Sequence, residues 1–324
     1  MPRIKDLITG NSIRKFPIDD PFGVREVVQP LVSISQVEDK ITGIGTCFQV
    51  SPWRWITAHH VVRHDEKAAF PPNEVGAVGF SPGLIFGTVG FSTNDYFAPI
   101  VETHFFKPED QSALSWIPGP SPPGIMVDVA SLFLNTAGLK KTPLTSPLPI
   151  SNQSPKIGEE VLGIGFPILG SEIEPGKTSI LFKEQMYGAV GKITKLHPNG
   201  VSASFPWPTI EIEGDWEGGM SGGPVIDLNG RVIGVVSRSL APADGHPGIG
   251  YAVNLSQIPL KILMPELDTL NPGFVFGWGI FVDDTLAGFT PHKPNEADVK
   301  YPGKLTKVQK ISLNPKTEDW IAVN

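Results

Sequence analysis

The sequence contains a single cysteine, Cys47, in 324 residues, so no intrachain disulfide can form. Chains of this kind are typical of reducing compartments, where free thiols persist. We therefore expect a cytoplasmic protein in which Cys47 is a small buried apolar side chain and not a catalytic group.

Long hydrophobic runs are also missing. No window approaches the ~18–20 apolar residues that a membrane-spanning helix needs. Residues 1–10 include Arg3 and Lys5 but lack the continuous apolar core of a secretory signal. These absences predict that a membrane is not a partner, and they agree with an intracellular location.

Charged residues are scarce, at 18% of the chain against the usual quarter, and the formal net charge is −7. A surface of that sign lacks the basic field that attracts phosphate backbones, so a nucleic acid partner is not expected. The sequence also leads us to expect no cofactor and no metal site.

Turn-forming residues are abundant, with 35 glycines and 33 prolines. Short alternating apolar segments such as Leu31–Ser35 and Gly45–Val50 lie between them. Such segments at short spacing are typical of β-barrels and β-sandwiches. Another apolar segment, residues 53–62, is predicted to be a strand, and the pair His59-His60 lies near its end. The pattern as a whole predicts an all-β fold.

Residues 1–28 mix charge, proline and glycine without a period and are predicted to form an N-terminal arm. A polar, proline-bearing connection near residues 135–153 is predicted to link two halves of the main domain, about 29–140 and about 150–262.

The C-terminal residues 263–324 carry an apolar run, Phe274–Val282, and a tryptophan, Trp320. Side chains of this kind do not stay in water as an extended patch. We expect this extension to pack on the main body or to bind a partner.

The stretch from Gly214 to Pro224, here called the nucleophile loop, reads Gly-Asp-Trp-Glu-Gly-Gly-Met-Ser-Gly-Gly-Pro. Because glycine relaxes φ and proline fixes it, this segment is predicted to be a shaped loop and not a helix or regular strand. The pair Asn229-Gly230, between two apolar β-forming runs, predicts a hairpin directly after it. Ser221 therefore lies in a loop that leads into a hairpin.

A serine hydroxyl needs a base to take its proton, and the base needs a group that fixes its tautomer. The chain offers Ser221, a histidine at position 59 or 60, and Asp128 within an apolar run. A buried carboxylate is costly without a partner, so Asp128 is expected at a strand edge or beside a donor such as an imidazole N–H. The N–H groups of Gly219 and Ser221 are candidates to meet a developing oxyanion.

Three blocks of the sequence resemble the signature blocks of trypsin-like serine peptidases, the chymotrypsin-fold family. They are Thr-Ala-His-His-Val-Val at 57–62, Asp-Val-Ala-Ser-Leu at 128–132 and Gly-Met-Ser-Gly-Gly-Pro at 219–224. The resemblance covers about residues 29–262. It implies two antiparallel six-stranded β-barrels with the catalytic triad in the cleft between them, and N- and C-terminal extensions outside them. It also implies a serine endopeptidase that hydrolyses peptide bonds in protein or peptide substrates through an acyl-enzyme.

The family pattern Thr-Ala-x-His selects His60 over His59 as the catalytic base. Asp128 is preferred to Asp95 as the third member, because Asp95 lacks the following apolar run. Met220 stands where secreted digestive members have an aspartate that pairs with a freshly cleaved amino terminus. That latch is absent here, so control is expected to come from elsewhere, for example from a regulatory protein partner.

The resemblance also suggests substrate-binding residues. Asp215, six residues before the nucleophile, is in the position that lies at the base of the primary pocket in members that cleave after Arg or Lys. Ser237, Arg238 and Ser239 are expected to run beside the substrate as an extended strand and to pair with it.

Two other interpretations fit parts of the sequence. Gly219-Met220-Ser221-Gly222-Gly223 also satisfies the Gly-x-Ser-x-Gly elbow of α/β-hydrolases, but that site requires a helix directly after the serine. Pro224 and the predicted hairpin follow instead. The other alternative is a protease fold retained as a binding or sensor module that is latent or inactive.

Overall fold

The structure is a computed structural model of the chain. It describes the following residues: 14–18, 24–35, 40–51, 54–63, 74–78, 87–88, 97–106, 127–134, 147–151, 153–173, 179–202, 205–243, 246–263, 275–290, 303–313 and 320–322.

The first half of the described chain forms a closed antiparallel barrel of six strands. In their order around the barrel they are β2 (Val28–Ser35), β3 (Lys40–Gln49), β4 (Arg54–Thr57), β8 (Ala130–Leu134), β7 (Phe97–Phe105) and β5 (Glu74–Val78).

The second half forms another ring of six antiparallel strands. The order is β9 (Glu160–Ile173), β10 (Ser179–His197), β11 (Thr209–Glu213), β14 (Ile249–Asn254), β13 (Val232–Leu240) and β12 (Pro224–Ile226). The ring closes because β9 pairs with both β10 and β12. The prediction of an all-β fold with two six-stranded antiparallel barrels is confirmed.

Apolar side chains hold the two barrels together in one continuous buried cluster. It includes Leu31, Phe48 and Ile56 from the first barrel and Leu162 and Ile164 from the second, each with no exposed surface. In each ring every strand pairs with a neighbour on both sides over part of its length. The cleft between the barrels is therefore bounded by rigid strands on both sides.

The hairpin predicted at Asn229-Gly230 forms between β12 and β13. Its turn is stabilised by the Asp227 carboxylate, which accepts hydrogen bonds from the N–H groups of Asn229 and Arg231 at 2.8 and 2.9 Å. A strand, and not a helix, thus follows the nucleophile loop, which excludes the α/β-hydrolase alternative.

The strand predicted to run through residues 53–62 is shorter than expected. The strand, β4, ends at Thr57, and a short helix, His59–Arg63, follows it. The N–H of His60 in the first turn of this helix donates to a carboxylate oxygen of Asp128 at 2.9 Å, which satisfies a group that would otherwise lack a partner. The side chain of a distant residue therefore favours the helix over the continued strand.

Part of the N-terminal arm adds a strand to the second barrel. β1 (Arg14–Pro17) pairs antiparallel with β10, and the two-residue strand β6 (Gly87–Thr88) pairs with another part of β10. A short helix, Val24–Val27, leads directly into β2. The domain boundaries predicted from the sequence remain predictions.

The C-terminal extension contains a separate antiparallel sheet in the order β16 (Thr285–Thr290), β15 (Val275–Val282), β17 (Thr306–Leu313) and β18 (Trp320–Ala322). Its buried residues Phe281, Ile311 and Leu313 have Phe133 of β8 packed against them. A 3-10 helix, Leu255–Gln257, and a short helix, Leu260–Leu263, connect β14 to this region. Among the described helices, none is long and apolar enough to cross a membrane.

Candidate active site

Asp128 and His60 form a close pair in the first barrel. The His60 Nδ1 lies 2.8 Å from the Asp128 Oδ2 and 3.1 Å from its Oδ1. The Asp128 side chain is 3% exposed and the His60 side chain is 34% exposed. The carboxylate is therefore buried behind the imidazole, whose other face is open to the cleft.

Two donors keep this buried carboxylate ionised. Burial alone would raise the pKa of Asp128, but hydrogen bonds from His60 and Ser237 outweigh burial and hold the pKa below its ordinary value. Because the Nδ1 of His60 faces the ionised carboxylate, it carries the proton in the neutral imidazole. The Nε2 is then the unprotonated nitrogen that can act as a base.

The second donor is Ser237 of β13, whose hydroxyl lies 2.5 Å from the Asp128 Oδ2. Sequence reasoning had placed Ser237 only beside the substrate and missed this contact. The apolar run around Ser237 indicated that this serine is buried, and it is 1% exposed in the structure. Because a buried hydroxyl requires a hydrogen-bond partner, the run was a signal that such a partner exists. The contact joins the two barrels at Asp128.

Ser221 is connected to the same group of residues through Ser237. Its hydroxyl donates to the Ser237 carbonyl at 3.3 Å, and no described hydrogen bond joins it to His60. A chain of hydrogen bonds thus runs from Ser221 through Ser237 and Asp128 to His60. In the absence of substrate, catalytic hydrogen bonds are often not yet formed.

The nucleophile loop requires glycine at two positions. Gly219 and Gly222 have φ of 86° and 87°, a region that favours glycine. A Cβ on Gly219 would lie 2.4 Å from the Phe166 carbonyl oxygen, and one on Gly222 would lie 2.2 Å from the Thr46 carbonyl oxygen. In the described part of the chain, neither the Gly219 N–H nor the Ser221 N–H donates a hydrogen bond. Both are free to bind an anionic oxygen.

The neighbouring histidine has a different environment. His59 is 5% exposed and its ring packs on Phe105 with centroids 4.8 Å apart, whereas His60 faces the carboxylate. This geometry is consistent with the choice of His60. Asp95, the rival acid, lies outside the described residues.

Asp215 is half-buried near the start of the nucleophile loop, where the Gly214 N–H donates to the Gly248 carbonyl at 2.9 Å. Lys15 of β1 comes close enough to Asp215 to interact electrostatically, but its ammonium is paired with Glu217. Among the described ion pairs, none includes Asp215.

The edge of β13 is open beside Ser221. β12 pairs with β13 only at residues 224–226, so among the described strands β13 has a partner on one side alone from Ser237 onward. The Arg238 guanidinium stacks on Phe205, 4.6 Å from the ring centroid, and is exposed, while Ser239 is half-buried. Residues 237–239 thus present main-chain groups to the cleft.

Met220 lies with its side chain fully buried in the core of the second barrel. It anchors the loop by apolar packing at the position of the missing aspartate. Cys47 is also fully buried, and burial raises the pKa of its thiol, which agrees with a structural role. No group of three potential metal ligands occurs among the residues that the structure describes.

A sequence profile of the family described as "Trypsin-like peptidase domain" matches residues 45–235, which is more than half of the chain. The match includes both members of the His60–Asp128 pair and the nucleophile loop.

Two curated relatives match a shorter stretch. Each is named "Probable periplasmic serine endoprotease DegP-like". The one from Bartonella henselae is 32% identical over 99 residues, or 30% of this chain and 16% of the relative. The one from Buchnera aphidicola is 28% identical over 104 residues, or 32% of this chain and 19% of the relative. The matched stretch thus spans less than a fifth of either relative.

These relatives contradict the cytoplasmic location expected from the sequence, because both are named as periplasmic proteins. The expectation rested on the single cysteine and on the lack of long apolar runs. A chain with one cysteine cannot form an intrachain disulfide in any compartment, so the cysteine count does not distinguish between them.

Solved structures with a similar arrangement are also proteases. The active form of the Rv3671c protease from M. tuberculosis is 21% identical, has a TM-score of 0.44, and the match covers 79% of this chain and 89% of that one. Neuropsin from mouse brain is 14% identical with a TM-score of 0.44, covering 72% and 92%.

The lowered pKa of Asp128 predicts an effect of pH on stability. An acid whose pKa is lower in the folded state stabilises the fold above its unfolded pKa of about 3.9, and this contribution is lost as the pH falls through the folded pKa. Asp128→Asn should therefore reduce the free energy of unfolding by about 1–3 kcal/mol at pH 7, because charged hydrogen bonds are lost.

Urea unfolding of both proteins between pH 7 and pH 3 measures this difference. It should shrink as the pH falls below about 4. A difference that stays constant across the range would show that the ionisation of Asp128 does not stabilise the fold.

Proposed function

The chain belongs to the family of trypsin-like peptidases, and we propose that it is a serine endopeptidase whose catalytic triad is Ser221, His60 and Asp128. The observation that supports this assignment most directly is the contact between the His60 Nδ1 and the buried Asp128 carboxylate at 2.8 Å. The carboxylate orients the imidazole and stabilises the positive charge that the imidazole gains during the reaction.

In the first step the Ser221 hydroxyl turns from the Ser237 carbonyl towards His60. The Nε2 of His60 takes the hydroxyl proton as the Ser221 Oγ attacks the carbonyl carbon of the scissile peptide bond. A tetrahedral intermediate with a negatively charged oxygen forms.

The N–H groups of Gly219 and Ser221 are proposed to bind this oxygen. Both groups are free in the described part of the chain, and both residues are half-buried at the cleft. Donors that are fixed before the reaction cost no reorganisation when the charge develops, so they stabilise the transition state more than the substrate.

The intermediate collapses when His60 returns its proton to the leaving amine. The acyl group stays on the Ser221 Oγ as an ester, and the amine product departs. Water then attacks the ester while His60 takes one of its protons. His60 returns this proton to the Ser221 Oγ as the ester C–O bond breaks, which releases the carboxylic acid product and free Ser221. The two steps need no cofactor.

The open edge of β13 is proposed to bind the substrate. An extended peptide that pairs with the main chain of residues 237–239 gains hydrogen bonds that do not depend on its side chains. Protein and peptide chains in an extended conformation are therefore the proposed substrate class. The periplasm is the proposed location, since both curated relatives are named as periplasmic. The alternative of an inactive binding module is not favoured by the family.

Ser221→Ala tests the triad directly. The rate of casein hydrolysis should fall by about 10³-fold or more, because no acyl-enzyme can form, while the unfolding midpoint stays close to that of the wild type. His60→Ala should lose a similar factor.

The double variant Ser221→Ala/His60→Ala should be no slower than either single variant, since residues that act as one unit are not additive. Casein hydrolysis that survives in Ser221→Ala would refute the proposed function.

Asp215 is proposed to favour Arg or Lys on the amino side of the cleaved bond, because its half-buried carboxylate has no ion pair among those described. In a peptide series that differs only in Arg, Leu or Glu at that position, kcat/KM should be highest for Arg.

Asp215→Ser should reduce the ratio of kcat/KM for the Arg peptide to kcat/KM for the Leu peptide by about tenfold or more. A tenfold change corresponds to about 1.4 kcal/mol in the activation free energy. Glu160→Gln, which removes an exposed carboxylate on β9, is the matched control and should leave this ratio within about twofold. Equal rates for Arg and Leu in the wild type would contradict the assignment of Asp215.

A further inference from the structure

Thr46 of β3 is the point at which the first barrel contacts the nucleophile loop. Its side chain is fully buried. Its hydroxyl donates to the Gly219 carbonyl at 2.8 Å, and its N–H donates to the Ser221 carbonyl at 2.8 Å. One residue of the first barrel thus binds the carbonyls of the same two residues whose N–H groups donate no hydrogen bond in the described part of the chain.

The direction of the hydroxyl bond is fixed by a third contact. The Phe166 N–H on β9 lies 3.1 Å from the Thr46 Oγ1, and an N–H can only donate. Thr46 must accept this bond, so its single hydroxyl proton is left for the Gly219 carbonyl. The hydroxyl therefore joins β9 to the nucleophile loop in one defined orientation.

The peptide unit between Gly219 and Met220 is held at both ends. Its carbonyl accepts from Thr46, and its N–H donates to the Glu217 carbonyl at 3.2 Å. Gly219 has a φ of 86° and is free to adopt many other conformations, because glycine has no Cβ. The hydrogen bond from the Thr46 hydroxyl restricts the conformation of Gly219, whose N–H must be oriented towards the reacting oxygen.

The main chain packs closely around Thr46. A Cβ on Gly165 would lie 3.0 Å from the Thr46 Oγ1, and one on Gly222 would lie 2.2 Å from the Thr46 carbonyl oxygen. That carbonyl also accepts from the Thr57 hydroxyl at 2.7 Å. The side chain and both main-chain groups of Thr46 are thus all occupied by specific contacts.

We propose that Thr46 is a positioning residue for the oxyanion-binding site: its hydroxyl fixes the Gly219–Met220 peptide and thereby restricts the conformation of Gly219, so that the Gly219 N–H points at the reacting oxygen. This inference rests on the proposed function, since it concerns the transition state of that reaction. Thr46 does not touch the substrate and acts only through Gly219.

Thr46→Val removes the hydroxyl and keeps the shape of the side chain. Loss of an oxyanion donor costs about 10²–10³ in kcat, so misalignment of one donor is expected to lower kcat by about 10- to 100-fold. KM should stay within about threefold, because the interaction forms in the transition state. Thr46→Ser retains the hydroxyl and should restore kcat to within about threefold of the wild type.

The measurements are kcat and KM on a fluorogenic peptide taken from a site at which the wild type cleaves casein. A second readout is inhibition by the aldehyde of that peptide, whose adduct with Ser221 carries an oxyanion. Its inhibition constant should rise in Thr46→Val in proportion to the loss of kcat, while binding of the corresponding peptide alcohol should not change.

Thr209→Val is the matched control. Thr209 is 1% exposed on β11, and its hydroxyl donates to the Trp207 carbonyl at 2.8 Å. This variant also loses one buried hydroxyl bond, but it should keep the wild-type kcat. If Thr46→Val does not fold, Thr46→Ala, which also lacks the hydroxyl, takes its place and should show the same split between kcat and KM.

A wild-type kcat in Thr46→Val or Thr46→Ala would overturn the role of Thr46. So would an equal loss of kcat in Thr209→Val, or a change in KM alone. Ser221→Ala, measured in parallel, separates the two proposals: activity that survives there refutes the proposed function, whereas its loss beside an unimpaired Thr46→Val refutes only the inference about Thr46.

Discussion

The hydrogen bonds to the buried Asp128 carboxylate join the parts of the candidate site, because its two side-chain donors come from different barrels. His60 belongs to the first barrel and Ser237 to the second. Burial alone favours the neutral acid, and the hydrogen bonds from His60 and Ser237 hold the pKa of Asp128 below its ordinary value. The same contacts that keep Asp128 charged therefore fix the imidazole and bring β13 against the first barrel.

Ser221 is placed by a second set of contacts across the same boundary. Thr46 binds the carbonyls of Gly219 and Ser221, and Met220 inserts its side chain into the core of the second barrel. The loop is thus held from one side by hydrogen bonds and from the other by apolar packing. A displacement of one barrel relative to the other would alter both the base and the nucleophile, so the stability of the contact between barrels and the geometry of the site depend on the same residues.

Much of this arrangement was predictable, and the rest shows where local sequence patterns fail. The all-β fold and the hairpin after Ser221 follow from turn chemistry and alternation, which act over a few residues. The helix at His59–Arg63 was predicted to be a strand. The local pattern could not reveal the helix, because the Asp128 carboxylate that accepts from the N–H of His60 lies 68 residues away. The bond between Ser237 and Asp128 and the contacts of Thr46 with Gly219, Ser221 and Phe166 were also missed. Each joins residues more than 100 positions apart, and an apolar run around a polar residue indicates that it needs a partner but not which residue that is.

The central claim is that His60 activates Ser221 as a nucleophile, and labelling with a fluorophosphonate tests it most directly. The account predicts that mass spectrometry finds one phosphonyl group per chain, on the peptide that contains Ser221. It also predicts that the label disappears in Ser221→Ala and that His60→Ala slows labelling by about 10²-fold or more, since the hydroxyl then lacks its base. Labelling of another residue, or of Ser221 at an unchanged rate in His60→Ala, would contradict the account.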